Sequence, residues 1–394
     1  MALGLGLKNR DFITQRFALA ARIIGPNWSE TMQRRDFLAG AGAGVAAMLP
    51  LAAQAAPREP NQLPAVSWRL ASSFPKSLDT IYGAAETLSK RVAALTAGKF
   101  QIRVFAGGEL VPGLQVLDAV GNGTAECGHS AGYYYVGKNL ALAFDTAVPF
   151  GLTARQQNAW MYAGGGIELL RKLYAKYGVL QFPGGNTGTQ MGGWFRKEIN
   201  SLADLQGLKM RIPGLGGKVM ARLGAVPQTL PGGDIYPALE RGALDAAEWV
   251  GPYDDEKLGF HKIARHYYYP GWWEGGPQLS FYVNQASWRA LPEQYRQAFE
   301  VATAEANQLM LAQYDAKNPP ALLRLVGQGV KLHPYPKDVM LAARRATFEL
   351  YEEEAKINPD FAAIYRPWKT FRDTEFQWFK VNEAAYSNFN YYVK

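Results

Sequence analysis

The chain has 394 residues, 48% of them hydrophobic and 19% charged, a composition that builds a substantial core and excludes a disordered chain. Its formal net charge is +8, but the first 55 residues hold six Lys/Arg against three Asp/Glu, leaving 36 against 31 for the rest. With this mild excess and no long block of like charge, nucleic-acid binding has little support. The single cysteine, Cys127, rules out an intramolecular disulfide or a CxxC site, and His129, His261, His266 and His333 show no HExxH or paired metal spacing.

At the N-terminus, Arg34-Arg35-Asp36-Phe37-Leu38 precedes an apolar, Gly/Ala-rich stretch from Ala39 to Ala53, followed by the small-x-small pattern Ala53-Gln54-Ala55. A charged region, a short apolar region and such a site make an export signal. The arginine pair resembles the twin-arginine signal, which exports proteins already folded. The apolar run is short for a membrane span, which takes about 20 residues. Residues 1–55 are therefore read as a signal segment cleaved near Ala55, with Met32 as a candidate true start. The mature protein is expected to be soluble and outside the cytoplasm.

Val66 to Ala71 alternates in the period of a strand. After Ser77, the apolar positions Ile81, Ala84, Ala85, Leu88, Val92 and Leu95 predict a helix closed by Gly98. Phe100–Phe105 reads as a strand, Leu114–Val120 as a helix and Thr124–His129 as a third strand. This alternation predicts an α/β layer with parallel strands. A second set follows: Ile167–Tyr177 helical, Val179–Phe182 and Met191–Phe195 extended, Leu202–Leu205 a short helix. Met210–Ile212 is a short strand, with helices around Gly217–Leu223 and Ile235–Gly242. Two such units suggest two lobes. From Pro292 the character changes to long charged helices, Glu293–Tyr314 and Lys337–Lys356, the second placed to brace both lobes. Asp373–Lys394 reads as a helix carrying Phe376, Trp378, Phe379 and Val381, which must pack on the core or on a second subunit.

Gly128-His129-Ser130-Ala131-Gly132 matches the nucleophile-elbow pattern G-x-S-x-G and follows a predicted strand. An elbow needs a helix immediately after it, whereas Tyr133-Tyr134-Tyr135 favours extended structure, and no oxyanion loop stands upstream. A small-residue loop lining a ligand cleft is the better reading; a secreted serine hydrolase using Ser130 is the competing one.

Gly184 to Gly193 is glycine-rich and polar, which lets backbone approach a ligand closely. Arg211 lies in the apolar strand Leu208-Lys209-Met210-Arg211-Ile212-Pro213, and its planar fork matches a carboxylate with two hydrogen bonds. An edge-strand surface position is the alternative. Glu248 and Glu274 sit among tryptophans and small residues, where an ionised carboxylate is costly unless a cation or donor pairs with it. Either they share such a partner or they form a surface pair. Trp249, Trp272 and Trp273 either close a pocket over a ligand or fill a lobe core.

Phe105-Ala106-Gly107-Gly108-Glu109-Leu110, the Arg211 strand and Gly242-Ala243-Leu244-Asp245-Ala246-Ala247-Glu248 resemble the solute receptors of tripartite ATP-independent periplasmic (TRAP) transporters over roughly Val66–Lys394. Asn186 to Gly193 and Glu248-Trp249 resemble the subgroup for 2-oxo and 2-hydroxy monocarboxylates, in which a metal cation sits beside the substrate. The resemblance implies an α/β, two-lobed periplasmic-binding-protein fold with a long helix bracing both lobes and a C-terminal dimerisation helix. It implies that Arg211 salt-bridges the ligand and that Gln190, Glu248, the backbone of Trp249 and Glu274 hold a sodium or calcium ion. A tyrosine after Gly132, Tyr135 or its neighbour Tyr134, would reach the ligand from the other lobe. A bridging cation would reverse the repulsion between two glutamates and a bound carboxylate. The expected division is residues 56–187 with 277–317 as lobe I, 188–276 with 318–336 as lobe II, 337–357 as the bracing helix and 358–394 as a C-terminal extension. The expected partners are a small organic-acid anion, the small and large subunits of a membrane permease and a second copy of the chain. A sugar acid or dicarboxylate is the alternative ligand.

Overall fold

The computed structural model describes residues 63–393; the signal segment and its cleavage site lie outside them. In chain order the strands are β1 (Val66–Ser72), β2 (Phe100–Phe105), β3 (Cys127–Ser130), β4 (Val179–Asn186), β5 (Trp194–Phe195), β6 (Lys209–Arg211), β7 (Val226–Gln228), β8 (Ala246–Ala247), β9 (His266–Tyr269), β10 (Gln278–Asn284) and β11 (Lys331–Pro334). The helices are α1 (Gly83–Leu95), α2 (Val116–Gly121), α3 (Ala154–Ala163), α4 (Gly166–Ala175), α5 (Gly214–Arg222), α6 (Gly232–Glu240), α7 (Pro252–Leu258), α8 (Gln285–Ala290), α9 (Glu293–Gly327), α10 (Lys337–Ile357), α11 (Pro359–Val381) and α12 (Glu383–Tyr392). Short 3₁₀ turns lie between them.

The strands form two sheets, ordered β2-β1-β3-β10-β4 and β11-β9-β5-β8-β6-β7. In the first, β1 runs parallel to β2 and β3, as the strand–helix–strand rhythm predicts. The unpredicted β10 is antiparallel to both neighbours, β3 and β4. It is buried at nearly every position, so it lacks the alternation that marks a half-exposed strand. In the second sheet β6 pairs parallel with β7 and β8, while β5 is antiparallel to β8 and β9.

The chain passes between the sheets by three routes. Two are irregular segments, Thr187–Gly193 leaving β4 and Pro270–Pro277, with a turn at Trp272–Trp273, entering β10. They run side by side: Thr187 N donates to Pro277 O at 3.1 Å, Gln190 N to Glu274 O at 3.1 Å, and Gly271 N to Gln190 O at 2.9 Å. A β-carbon on Gly271 would lie 2.6 Å from Met191 O, so this close pairing requires glycine.

The third route is α9, a 35-residue helix that continues beyond the predicted end at Tyr314 and through Pro319 and Pro320. Prolines leave earlier carbonyls without their usual donors, yet tertiary contacts outweigh that cost here. Arg91 of α1 pairs with Glu305 at 2.5 Å near the first sheet, and Arg324 pairs with Glu256 of α7 at 2.6 Å near the second. Helix α10 also touches both sides: Arg222 of α5 pairs with Glu353 at 2.6 Å, and Tyr351 Oη donates to Pro149 O at 2.8 Å.

The C-terminal helix begins earlier than predicted, at Pro359, and breaks at Asn382. Its first half buries Phe361, Ile364, Tyr365 and Trp368, with Phe144 at 5.1 Å from Phe361 and 5.3 Å from Trp368. Each such burial contributes about 1.5–3 kcal/mol. Beyond Arg372 the character reverses, leaving Trp378, Tyr386, Phe389 and Tyr392 exposed. Among the described residues no helix is long and apolar enough to cross a membrane.

Candidate functional site

Arg211 ends β6 and is 1% exposed. Its partner in register on β8 is Ala247, which places Glu248, the next residue, beside the guanidinium. Arg211 Nη1 donates to the Glu248 carbonyl at 2.9 Å and to its carboxylate, and Nε donates to Leu230 O at 3.1 Å. The guanidinium lies 5.0 Å from the Trp249 ring, within cation–π range. Arg211 Nη2 and Glu248 Oε2 have no partner although both are buried. An unsatisfied donor of a buried cation is costly; here it offers half of a carboxylate-binding fork.

Glu274 lies on the Pro270–Pro277 crossing and Gln190 on the Thr187–Gly193 crossing. Gln190 Nε2 donates to Thr187 Oγ1 at 3.0 Å. That orientation turns its amide oxygen toward the Trp249 carbonyl oxygen and a Glu274 carboxyl oxygen. Rotating the amide by 180° would make its nitrogen donate to both and its oxygen accept from Thr187. Three convergent oxygens from an amide, a backbone carbonyl and a carboxylate suit a hard cation, which takes oxygen ligands of this kind. Among the described residues no group of three His, Cys, Asp or Glu side chains could hold a metal.

Burial raises the pKa of Glu248, and Arg211 opposes the shift. Burial, followed by the charge of Glu248, holds Glu274 well above the ordinary carboxylate range, with Arg211 and Tyr133 opposing. One arginine does not neutralise two buried glutamates, so the site favours a second positive charge or a proton.

The roof comes from the turn after β3. Tyr133-Tyr134-Tyr135 forms a 3₁₀ turn rather than the predicted extended segment. Tyr133 and Tyr134 face the cleft with Gln190 and Trp249. Burial pushes Tyr134 up to about 12, opposed by Arg211. Tyr135 is directed elsewhere: its hydroxyl donates or accepts with Ser130 Oγ at 2.8 Å and accepts from Leu117 N at 3.2 Å. Of the six residues read from sequence, Arg211, Gln190, Trp249, Glu248 and Glu274 lie together, and of the two tyrosines left open it is Tyr134 that faces them; Tyr133, Thr187 and the Leu230 carbonyl were not read from sequence. The Leu230 carbonyl is backbone and carries no residue signal.

The small pocket between Phe74, Tyr133, Tyr134, Gln190 and Trp249 measures about 10 Å³, room for about one water. A wider cleft of about 380 Å³ adjoins it, lined by Ser73, Gly107 and Gly113 on one side and Pro231, Gly232 and Asp234 on the other.

The G-x-S-x-G match is not a nucleophile. Ser130 is fully buried, and its Oγ is held by Ser73 Oγ at 2.6 Å as well as by Tyr135. His129 points to the opposite face, stacked 4.6 Å from Phe281, and burial lowers its pKa to about 3. Two sheets flanking a buried arginine give the architecture of a two-lobed α/β solute-binding protein.

Residues 71–357 match the DctP family, bacterial extracellular solute-binding protein, family 7, and the chain belongs to that family. It is 59% identical over 327 residues to the monocarboxylate 2-oxoacid-binding periplasmic protein of Nostoc sp. PCC 7120, covering 83% of this chain and 90% of the relative. A TRAP transporter solute-binding protein from Bordetella bronchiseptica RB50 is 56% identical, with a TM-score of 0.82 over 83% of this chain and 98% of its own. That structure is a mixed-occupancy dimer with copurified calcium and picolinate in one site. A TRAP periplasmic solute-binding protein from Pseudoalteromonas atlantica T6c, with bound sodium and pyruvate, is 42% identical, with a TM-score of 0.80 over 82% of this chain and 98% of its own. The family is periplasmic and serves transport, and this chain is a TRAP solute receptor.

Proposed function

We propose that the protein captures a small 2-oxo or 2-hydroxy monocarboxylate together with sodium or calcium and delivers it to a TRAP permease. The observation that carries this reading is the buried Arg211 fork, its Nη2 unpartnered, beside the converging oxygens of Gln190, Trp249 and Glu274. Arg211 grips the ligand carboxylate, while Gln190, the Trp249 carbonyl, Glu274 and Glu248 hold the cation. The bound cation supplies positive charge that offsets the glutamates and attracts the ligand's 2-oxygen. Picolinate and pyruvate, bound by the two relatives, share a carboxylate with a lone-pair donor on the adjacent carbon; that geometry, rather than chain length, is what this site selects.

The division into lobes follows the segments expected from sequence, with Thr187–Gly193 and Pro270–Pro277 as hinge segments that carry Gln190 and Glu274. Closure thus brings the candidate cation ligands into place as the lobes approach. Export proceeds by the twin-arginine route through Arg34 and Arg35. The exposed aromatics of α11 and α12 pair with a second copy, as a dimer of the Bordetella relative suggests.

The test is intrinsic tryptophan fluorescence after chelator dialysis, titrating pyruvate, lactate, picolinate and nicotinate with and without sodium or calcium. The reading predicts cation-dependent saturation by the first three and none by nicotinate, whose ring nitrogen is one carbon further from the carboxylate. Equal binding of nicotinate, or binding indifferent to both cations, would overturn it. In the same assay Tyr134→Phe is expected to weaken ligand binding about 10-fold, the loss of one hydrogen bond to a charged group. Tyr135→Phe should leave affinity unchanged and lower stability by about 1 kcal/mol, read by thermal melting.

A further inference from the structure

We infer that Asp255 is a positioning residue for the cation site: it orients and polarises the Trp249–Val250 peptide, whose carbonyl oxygen faces Gln190 and Glu274. This rests on the cation reading above.

Asp255 lies in the first turn of α7 and is 1% exposed. Its Oδ1 accepts the Val250 N–H at 3.2 Å. Its Oδ2 accepts Trp194 Nε1 at 2.9 Å and the Tyr267 hydroxyl at 2.7 Å. Trp194 and Tyr267 are register partners on β5 and β9, and their rings stack at 3.8 Å. The carboxylate is therefore anchored to the second sheet by two donors and extends its free oxygen to a single peptide N–H.

A trans peptide is planar, with N–H and C=O pointing in opposite directions. Holding the Val250 N–H against Asp255 therefore aims the Trp249 carbonyl away from it, toward Gln190 and Glu274. Two further contacts keep the unit from rotating. Val250 O accepts Met191 N at 3.1 Å, beside Gln190, and Asp254 accepts Trp249 Nε1 at 3.4 Å. Asp254 also accepts the Tyr314 hydroxyl of α9 at 2.7 Å. A hydrogen bond from a peptide N–H to an ionised carboxylate shifts electron density toward the carbonyl oxygen, which strengthens it as a ligand for a hard cation. Partners of this outer kind typically contribute 10–100-fold to metal affinity.

The experiment measures calcium and sodium affinity by isothermal titration without organic acid, on wild type, Asp255→Asn, Tyr267→Phe and Trp194→Phe. Asp255→Asn should lose about 10–100-fold in calcium affinity and less for sodium, because polarisation acts more strongly on the doubly charged ion. Tyr267→Phe and Trp194→Phe keep the charge but each removes one anchor; both should fold and show smaller calcium losses, so they decide the matter if Asp255→Asn does not fold. At saturating calcium, picolinate affinity should stay near wild type in all three. Wild-type calcium affinity in every variant would overturn the role of Asp255 and leave the cation reading intact. Equal losses for calcium and sodium with a lowered melting temperature would reduce Asp255 to a structural role. Absence of cation binding in wild type would overturn both readings.

Discussion

Replacing Arg211 by alanine is expected to weaken organic-acid binding by about 2–5 kcal/mol, or about 30- to several-thousand-fold. The guanidinium is the positive charge at the centre of the site, and every one of its other hydrogen bonds goes to protein oxygens of Leu230 and Glu248. Removing it takes away the ligand's anchor and strands Glu248 in a buried pocket, where breaking one partner of a buried pair costs about 3–5 kcal/mol of stability. The stability loss should be smaller at pH 5 than at pH 8, because a stranded Glu248 escapes part of its penalty by taking a proton. Arg211→Lys keeps the charge but not the fork, so it should recover part of the stability and little of the affinity. Titration calorimetry and thermal melts at the two pH values separate these effects. An alanine variant that binds pyruvate-like acids as wild type does would remove Arg211 from the site.

Glu274→Gln should move two measurements in opposite directions. Cation affinity is expected to fall at least about 100-fold, since affinity for a hard cation follows the charge of its ligands, and the cation dependence of ligand binding should fall with it. Stability in chelator and low sodium should instead rise by about 1–3 kcal/mol, because the wild-type carboxyl is buried beside Glu248 without enough positive charge. The pH window follows from the direction of the shift. The folded-state pKa lies well above the unfolded value, so wild-type stability is intact at low pH and is lost as pH rises past about 4.5. The Gln variant's advantage should therefore be absent near pH 4 and present at pH 7. Melting curves against pH, with and without calcium, test both signs; a destabilised variant at pH 7 in chelator would mean that Glu274 is already compensated.

Much of the site was legible because its residues are chemically conspicuous. An arginine in an apolar strand before Pro213, and glutamates beside tryptophans and small residues, each break the expected pattern. Their mutual placement was less so. Strands β5 and β8 have two residues each, too few to show a period, yet the register of β8 is what sets Glu248 against Arg211. The tyrosine turn departs from its extended reading, and this decides which rings face the cleft. Extended structure puts Tyr133 and Tyr135 on one face, whereas a 3₁₀ turn advances by about a third of a turn per residue and sends Tyr133 and Tyr134 to the cleft with Tyr135 inward. The nucleophile-like Ser130 failed for a similar reason, because strand alternation turns His129 away from it.

By itself the sequence determined the α/β class, the long charged helices and the residue types able to hold an anion and a cation, since these depend on local periodicity and on the chemistry of single side chains. Only the tertiary structure decided which carbonyls face the site, that α9 continues through two prolines, and that the two paired crossings between the sheets carry Gln190 and Glu274. Those outcomes depend on contacts between segments distant in the chain, where packing and backbone hydrogen bonding outweigh local preference.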